Sequence, residues 1–144
     1  MDDRDAIYGT VYQGARPSAG PGLAAAGFKA LVLCAAEFQP PASDFPGVRL
    51  IRCPIEEEVP DERARRSLTR AAVRAAEFAR RGELVLISCH AGVNRSSLVT
   101  GLVIHALTGM SGGRITQVIR EGRPKALSSR TFLKLVSRIG LSTP

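Results

Sequence analysis

Cys89 and Arg95, with His90, Ala91, Gly92, Val93 and Asn94 between them and Ser96 after, are the residues best spaced to act together on one small anion. The apolar run at residues 84–87 predicts a strand, and the stretch from Arg95 to about Leu107 predicts a helix. Cys89 therefore sits in a strand-to-helix loop. Such a loop offers backbone N–H groups to an anion, and the helix adds the positive end of its dipole. Gly92 lets the chain curl closely round a phosphate, and the planar fork of Arg95 can grip two of its oxygens. Thiols at helix N-termini beside cations ionise far more readily than free cysteine, so Cys89 is expected to be a thiolate. It would attack phosphorus and form a phosphocysteine, with the loop stabilising the charged transition state. This chemistry requires neither a metal nor a cofactor.

Length and composition narrow the setting. A chain of 144 residues fits one domain, 1–144, and can bury about two-thirds of its unfolded surface without a disulfide or metal staple. Cys34, Cys53 and Cys89 are an odd set with no CxxC spacing, and His90 and His105 are the only histidines. A disulfide framework and a zinc site are both poor fits to that inventory. With three lysines among 20 basic residues, the other 17 are arginine, and the net charge is +7. That balance favours anionic partners. Aromatic residues at 5% and the lack of Trp disfavour nucleic acid bound by base stacking. No apolar run reaches the roughly 20 residues of a membrane span, and the acidic start at residues 1–5 lacks the pattern of a signal peptide. A cytoplasmic location is expected.

The elements that must position the loop follow from periodicity. Strands are expected at 7–13, 29–34, 48–53 and 84–87, with a short helix at 23–26 closed by Gly27. Residues 54–60 form a loop carrying Glu56, Glu57 and Glu58. Asp61 is a good N-cap for a helix over 62–80, whose apolar stripe is Leu68, Ala72, Ala75, Ala76 and Ala79. Arg66, Arg70 and Arg74 lie on another face and are expected to be solvated. The helix after the loop is apolar nearly all round and should be buried. Ser111 caps a helix through Arg120, and a last helix spans about 130–139. Alternating strands and helices predict an α/β fold: a mostly parallel sheet of four to five strands flanked by helices. Ligands in such sheets sit at the carboxyl ends of the strands, where the cysteine loop lies.

The string Cys89-His90-Ala91-Gly92-Val93-Asn94-Arg95-Ser96 resembles the Cys-x5-Arg signature of the protein tyrosine phosphatases, and more closely that of the dual-specificity branch. Similarity continues through Met110-Ser111, Val118-Ile119-Arg120, Arg123-Pro124, Phe132 and Leu135, and upstream through residues 7–15 and 29–34, so it covers nearly the whole chain. The resemblance implies hydrolysis of phosphotyrosine, and of phosphoserine or phosphothreonine, in a phosphorylated protein or peptide. It gives the Ser96 hydroxyl a role in releasing the thiolate. It also implies a general acid on a loop about thirty residues before the cysteine. Alignment on Pro54-Ile55 puts Glu57 there, 89 − 57 = 32 residues upstream, while alignment on Val59-Pro60 puts Glu56 there and Asp61 is the nearby Asp. Clustered carboxylates hold protons more tightly, which suits a donor.

Two positions depart from the branch. Ser88 stands where it usually has His, which predicts weakened rather than abolished activity, and Ser129 stands where it often has Asn. An RNA 5′-end or phosphoinositide phosphatase, and a non-catalytic phosphate-binding module, are the rival readings. His105, on an apolar helix, is expected to be a satisfied core histidine, and Cys34 and Cys53 are expected to be core residues.

Overall fold

The computed structural model describes residues 2–141. Five strands form one sheet in the order β1-β2-β5-β3-β4. They are β1 (Arg4–Tyr8), β2 (Val11–Gly14), β3 (Phe28–Ala35), β4 (Arg49–Ile55) and β5 (Leu84–Ser88). β2, β5, β3 and β4 run parallel, and β1 pairs antiparallel with β2 at the edge. The helices are α1 (Gly22–Ala25), α2 (Glu62–Arg80), α3 (Arg95–Thr108), α4 (Gly112–Gly122) and α5 (Arg130–Ser137). The α/β architecture expected from the alternation is the one observed.

One expected strand is two. Residues 7–13 do not run straight: Tyr8 pairs with Val11 across a turn in which Gly9 has φ +54°. A positive φ is open to glycine at little cost, so the chain reverses there and makes a hairpin. Pro54 and Ile55 extend β4 rather than opening the loop, because β3 pairs through Ala35 to Ile55. The helices match the periodicity within two residues at each end, with α4 closing at Gly122 rather than Arg120 and α5 at Ser137 rather than 139.

Period-two alternation divides the core between the two faces of the sheet. Ala30, Val32 and Cys34 of β3 and Val85 and Ile87 of β5 face α2, α3, α4 and α5. Leu31, Leu33 and Leu86 face the other way, with Leu23 of α1, Phe28 and Phe45. Asp61 caps α2 by accepting from the Ala64 N–H at 2.8 Å, while Ser111 precedes α4 without a side-chain cap. Arg66, Arg70 and Arg74 are exposed as expected. α3 carries Val99, Val103 and Ile104 fully buried. Each such aliphatic side chain contributes about 1.5–3 kcal/mol relative to exposure, so the strand before the cysteine loop and the helix after it are both firmly anchored.

Candidate active site

All four parallel strands deliver a site residue at the same edge. β5 ends at Ser88 and yields Cys89, β2 ends at Gly14, β3 leads to Glu37 and β4 leads to Glu57. The carboxyl edge of the sheet thus gathers residues far apart in the chain, as parallel topology requires.

The loop between Cys89 and Arg95 is shaped by where its carbonyls go. His90 O accepts from the Arg16 N–H at 3.2 Å, and Val93 O accepts from the Leu127 N–H at 2.8 Å and from Ser97 Oγ at 2.6 Å. Gly92 O accepts from Gln13 Nε2 at 3.1 Å and from Arg123 Nε at 2.7 Å, and Ala91 O from Arg123 Nη2 at 3.1 Å. Four successive carbonyls are therefore held by the surrounding protein. The amides of residues 90–94, by contrast, meet no acceptor among the described residues. A run of unmatched N–H groups ahead of a helix is a ready site for an oxyanion. Gly92 has φ +70°, and a Cβ there would run into the Gly14 backbone. Only glycine allows the loop to cross β2 so closely.

Cys89 is 4% exposed and its Sγ lies 3.2 Å from Ser96 Oγ, so the hydroxyl is in place to donate to a thiolate. His90 and Ala91 are exposed at the rim, while Val93 and Asn94 are half-buried. Asn94 braces the loop: its Oδ1 accepts from the Ser129 N–H at 3.0 Å and its Nδ2 donates to Ser128 Oγ at 3.4 Å. Ser88 turns away from the thiol and donates to Val32 O at 3.1 Å.

Arg95 is 3% exposed, and a buried cation needs a partner. Glu37 supplies it: Nη1 and Nη2 donate to the two carboxylate oxygens at 2.6 and 2.7 Å, and Nη1 also donates to Ile55 O at 3.0 Å. These bonds hold the Glu37 carboxyl down at about 2 and raise the Arg95 pKa, an effect to which a Cys89 thiolate nearby adds. One donor is left over. Arg95 Nε–H is buried and has no hydrogen-bond partner among the described residues, with Glu57 Oε1 3.7 Å away, an ionic contact too long for a hydrogen bond.

Of the expected acids, Glu57 is the one beside Arg95. All three glutamates are exposed, but Glu56 and Glu58 make no ion pair with Arg95, and Asp61 is committed as the cap of α2. His105 is half-buried with Nδ1 2.8 Å from Met110 O, and Cys34 and Cys53 are buried free thiols. Burial pushes both thiols up, Cys53 to about 11, which makes them poor nucleophiles. Among the described residues no group of three His, Cys, Asp or Glu is gathered to hold a metal, and no helix is long and apolar enough to cross a membrane.

Sequence reasoning missed three residues of this site. Glu37 follows a buried parallel strand by two positions, which is a usable signal. Gln13 and Arg123 carry no local one, because their partner is the loop itself.

No protein-family model matches the chain, and no curated protein matches it. Solved structures do. Human DUSP28 is similar with a TM-score of 0.79 at 22% identity, over 94% of this chain and 91% of that one. Tk-PTP, solved in its active form, gives 0.79 at 22%, over 96% of each chain. PTPMT1, solved in complex with PI(5)P, gives 0.74 at 16%, over 94% and 93%.

Proposed function

From the premise that the chain has the dual-specificity phosphatase fold, we propose that it is a phosphomonoesterase acting through Cys89 on phosphorylated protein, with phosphotyrosine as substrate and phosphoserine or phosphothreonine beside it. The observation that carries this reading is the loop. Its carbonyls are held outward, its amides are unmatched, and Cys89 and the partnerless Nε–H of Arg95 adjoin it.

A phosphate dianion in the cradle takes the amides of residues 90–94 and the Arg95 Nε–H, while Glu37 keeps the far edge of the guanidinium. The Cys89 thiolate forms a bond to phosphorus as the ester P–O bond breaks, and the leaving oxygen takes a proton from the Glu57 carboxyl. Water then attacks phosphorus and gives a proton to the Glu57 carboxylate. The S–P bond breaks with its electron pair returning to sulfur, where the Ser96 hydroxyl, 3.2 Å away, stabilises it. Inorganic phosphate leaves, and Glu57 is again protonated.

The test is hydrolysis of a small aryl phosphate with a chelator present, beside matched phosphotyrosine and phosphothreonine peptides, an RNA 5′-triphosphate and a phosphoinositide. The protein reading requires the peptides to give the highest kcat/KM. Absence of turnover across about pH 5 to 8 would leave a phosphate-binding module instead.

Two variants probe individual roles. Glu57→Gln is expected to flatten the basic limb of the pH–rate profile, and an unchanged profile moves the acid to Glu56 or Asp61. Glu37→Gln should lower kcat/KM by about tenfold, mostly through KM, because the clamp loses the charge that orients it. Glu37 stays ionised down to about 2, so this pair contributes no limb near neutral pH. Wild-type kinetics in that variant would show that the ion pair does not orient Arg95.

A further inference from the structure

A cavity of ≈ 640 Å³ lies among α2, α3 and α5, and none of the residues of the cysteine loop line it. That volume falls within the range of small-molecule sites. Its wall is built from leucines of all three helices, among them Leu68, Leu98, Leu102 and Leu135, with Ile139 beyond α5. Leu102 and Leu135 are only half-buried, so apolar surface remains uncovered there.

The polar part of the lining is one-sided. Among the described residues, Arg65 and Arg138 are its only charged groups, and none of its lining residues is a carboxylate. Arg65 gives its Nε–H to Pro60 O at 3.2 Å, which leaves its two Nη groups without a partner among the described residues. Arg138 likewise has no side-chain partner among them. The remaining polar group, the Thr69 hydroxyl, already donates to Arg65 O at 3.0 Å.

We propose that this cavity binds a single-chain anionic amphiphile, of which a long-chain carboxylate is the simplest. The tail would cover the leucine wall and the carboxylate would take the Arg65 and Arg138 guanidinium groups. A neutral chain would cover the leucines but make no use of the two guanidinium groups that carry the cavity's charge. A bare phosphate finds no amide cradle there and leaves the leucines wet.

Titration calorimetry of the full chain with sodium dodecanoate, kept below its micelle concentration, tests this without reference to turnover. Saturable binding at one site is expected. Arg65→Gln with Arg138→Gln should weaken it by about tenfold or more, and neutral dodecyl maltoside should bind at least as poorly. Leu102→Trp, which fills the cavity, should abolish it, with the thermal unfolding midpoint as the check on folding. Both arginines are exposed, so their variant is informative even if the tryptophan variant fails to fold. No saturable binding by the wild type overturns the proposal and leaves the cavity to a partner helix. Equal affinity in the double arginine variant, or equal affinity for the neutral detergent, overturns it as well.

Discussion

Cys89→Ser is expected to lower aryl phosphate turnover by roughly 10⁴-fold or more, the scale on which a covalent enzyme loses activity with its nucleophile. The reason is confined to one atom. A serine hydroxyl at this position is far less nucleophilic than a thiolate, and its neighbours Ser88, which donates to Val32 O, and Ser96 are hydroxyls too weakly basic to take its proton. The rest of the site does not depend on sulfur. Arg95 is fixed by Glu37 and Ile55 O, and the loop carbonyls are held by Gln13, Arg16, Ser97, Arg123 and the Leu127 amide. Phosphate or tungstate should therefore bind to the variant as tightly as to the wild type, or more tightly once a negative charge is gone from the cradle. Titration calorimetry beside steady-state kinetics separates the two effects. Turnover within tenfold of wild type would mean that Cys89 is not the nucleophile. Loss of binding together with turnover would mean that the sulfur shapes the cradle.

Much of this arrangement is legible in the sequence, and the legible part has a common physical cause. The apolar run at 84–87, the short loop and the apolar helix after it are local signals, and together they place Cys89 at a strand's carboxyl end. Asp61 as a cap is local too. The hairpin at Gly9 was hidden because loose alternation on either side of a two-residue turn looks like one strand. Glu37, Gln13 and Arg123 are of another kind. Gln13 sits 79 residues from the Gly92 carbonyl it holds, Glu37 58 from Arg95, and Arg123 120 from Asp3. Only the strand order of the sheet and the close of α4 bring those pairs together. Asp3 and Asp5, whose roles no local pattern discloses, are in the fold the counter-charge of the loop's main brace.

That brace sets the second large expected effect: Arg123→Met should destabilise the fold by about 2–4 kcal/mol and lower kcat/KM by about 100-fold. Arg123 is fully buried, and its guanidinium ties the Ala91 and Gly92 carbonyls to Asp3 and Asp5. Methionine fills similar space but leaves Ala91 O without its donor and Gly92 O with Gln13 Nε2 alone, and an unmatched buried group costs about 1–3 kcal/mol. The carboxylates add less, because both are nearly half exposed and water screens them. Activity should suffer on the same scale as stability, since carbonyls free to rotate inward turn the amides away from the anion.

The same site gives a pH signature. Hydrogen bonds from Arg123 and then Lys125 lower the Asp3 carboxyl from 3.8 to about 2. A carboxyl depressed by folding stabilises the native state fully above its unfolded value, and that contribution is lost as pH falls from about 4 to about 2. The variant should therefore show a shallower acid loss of stability than the wild type, measured as urea midpoints down the pH scale. Lower stability with unchanged kinetics would leave Arg123 a structural brace only. Lost activity at unchanged stability would place the whole of its effect in the aim of the phosphate loop.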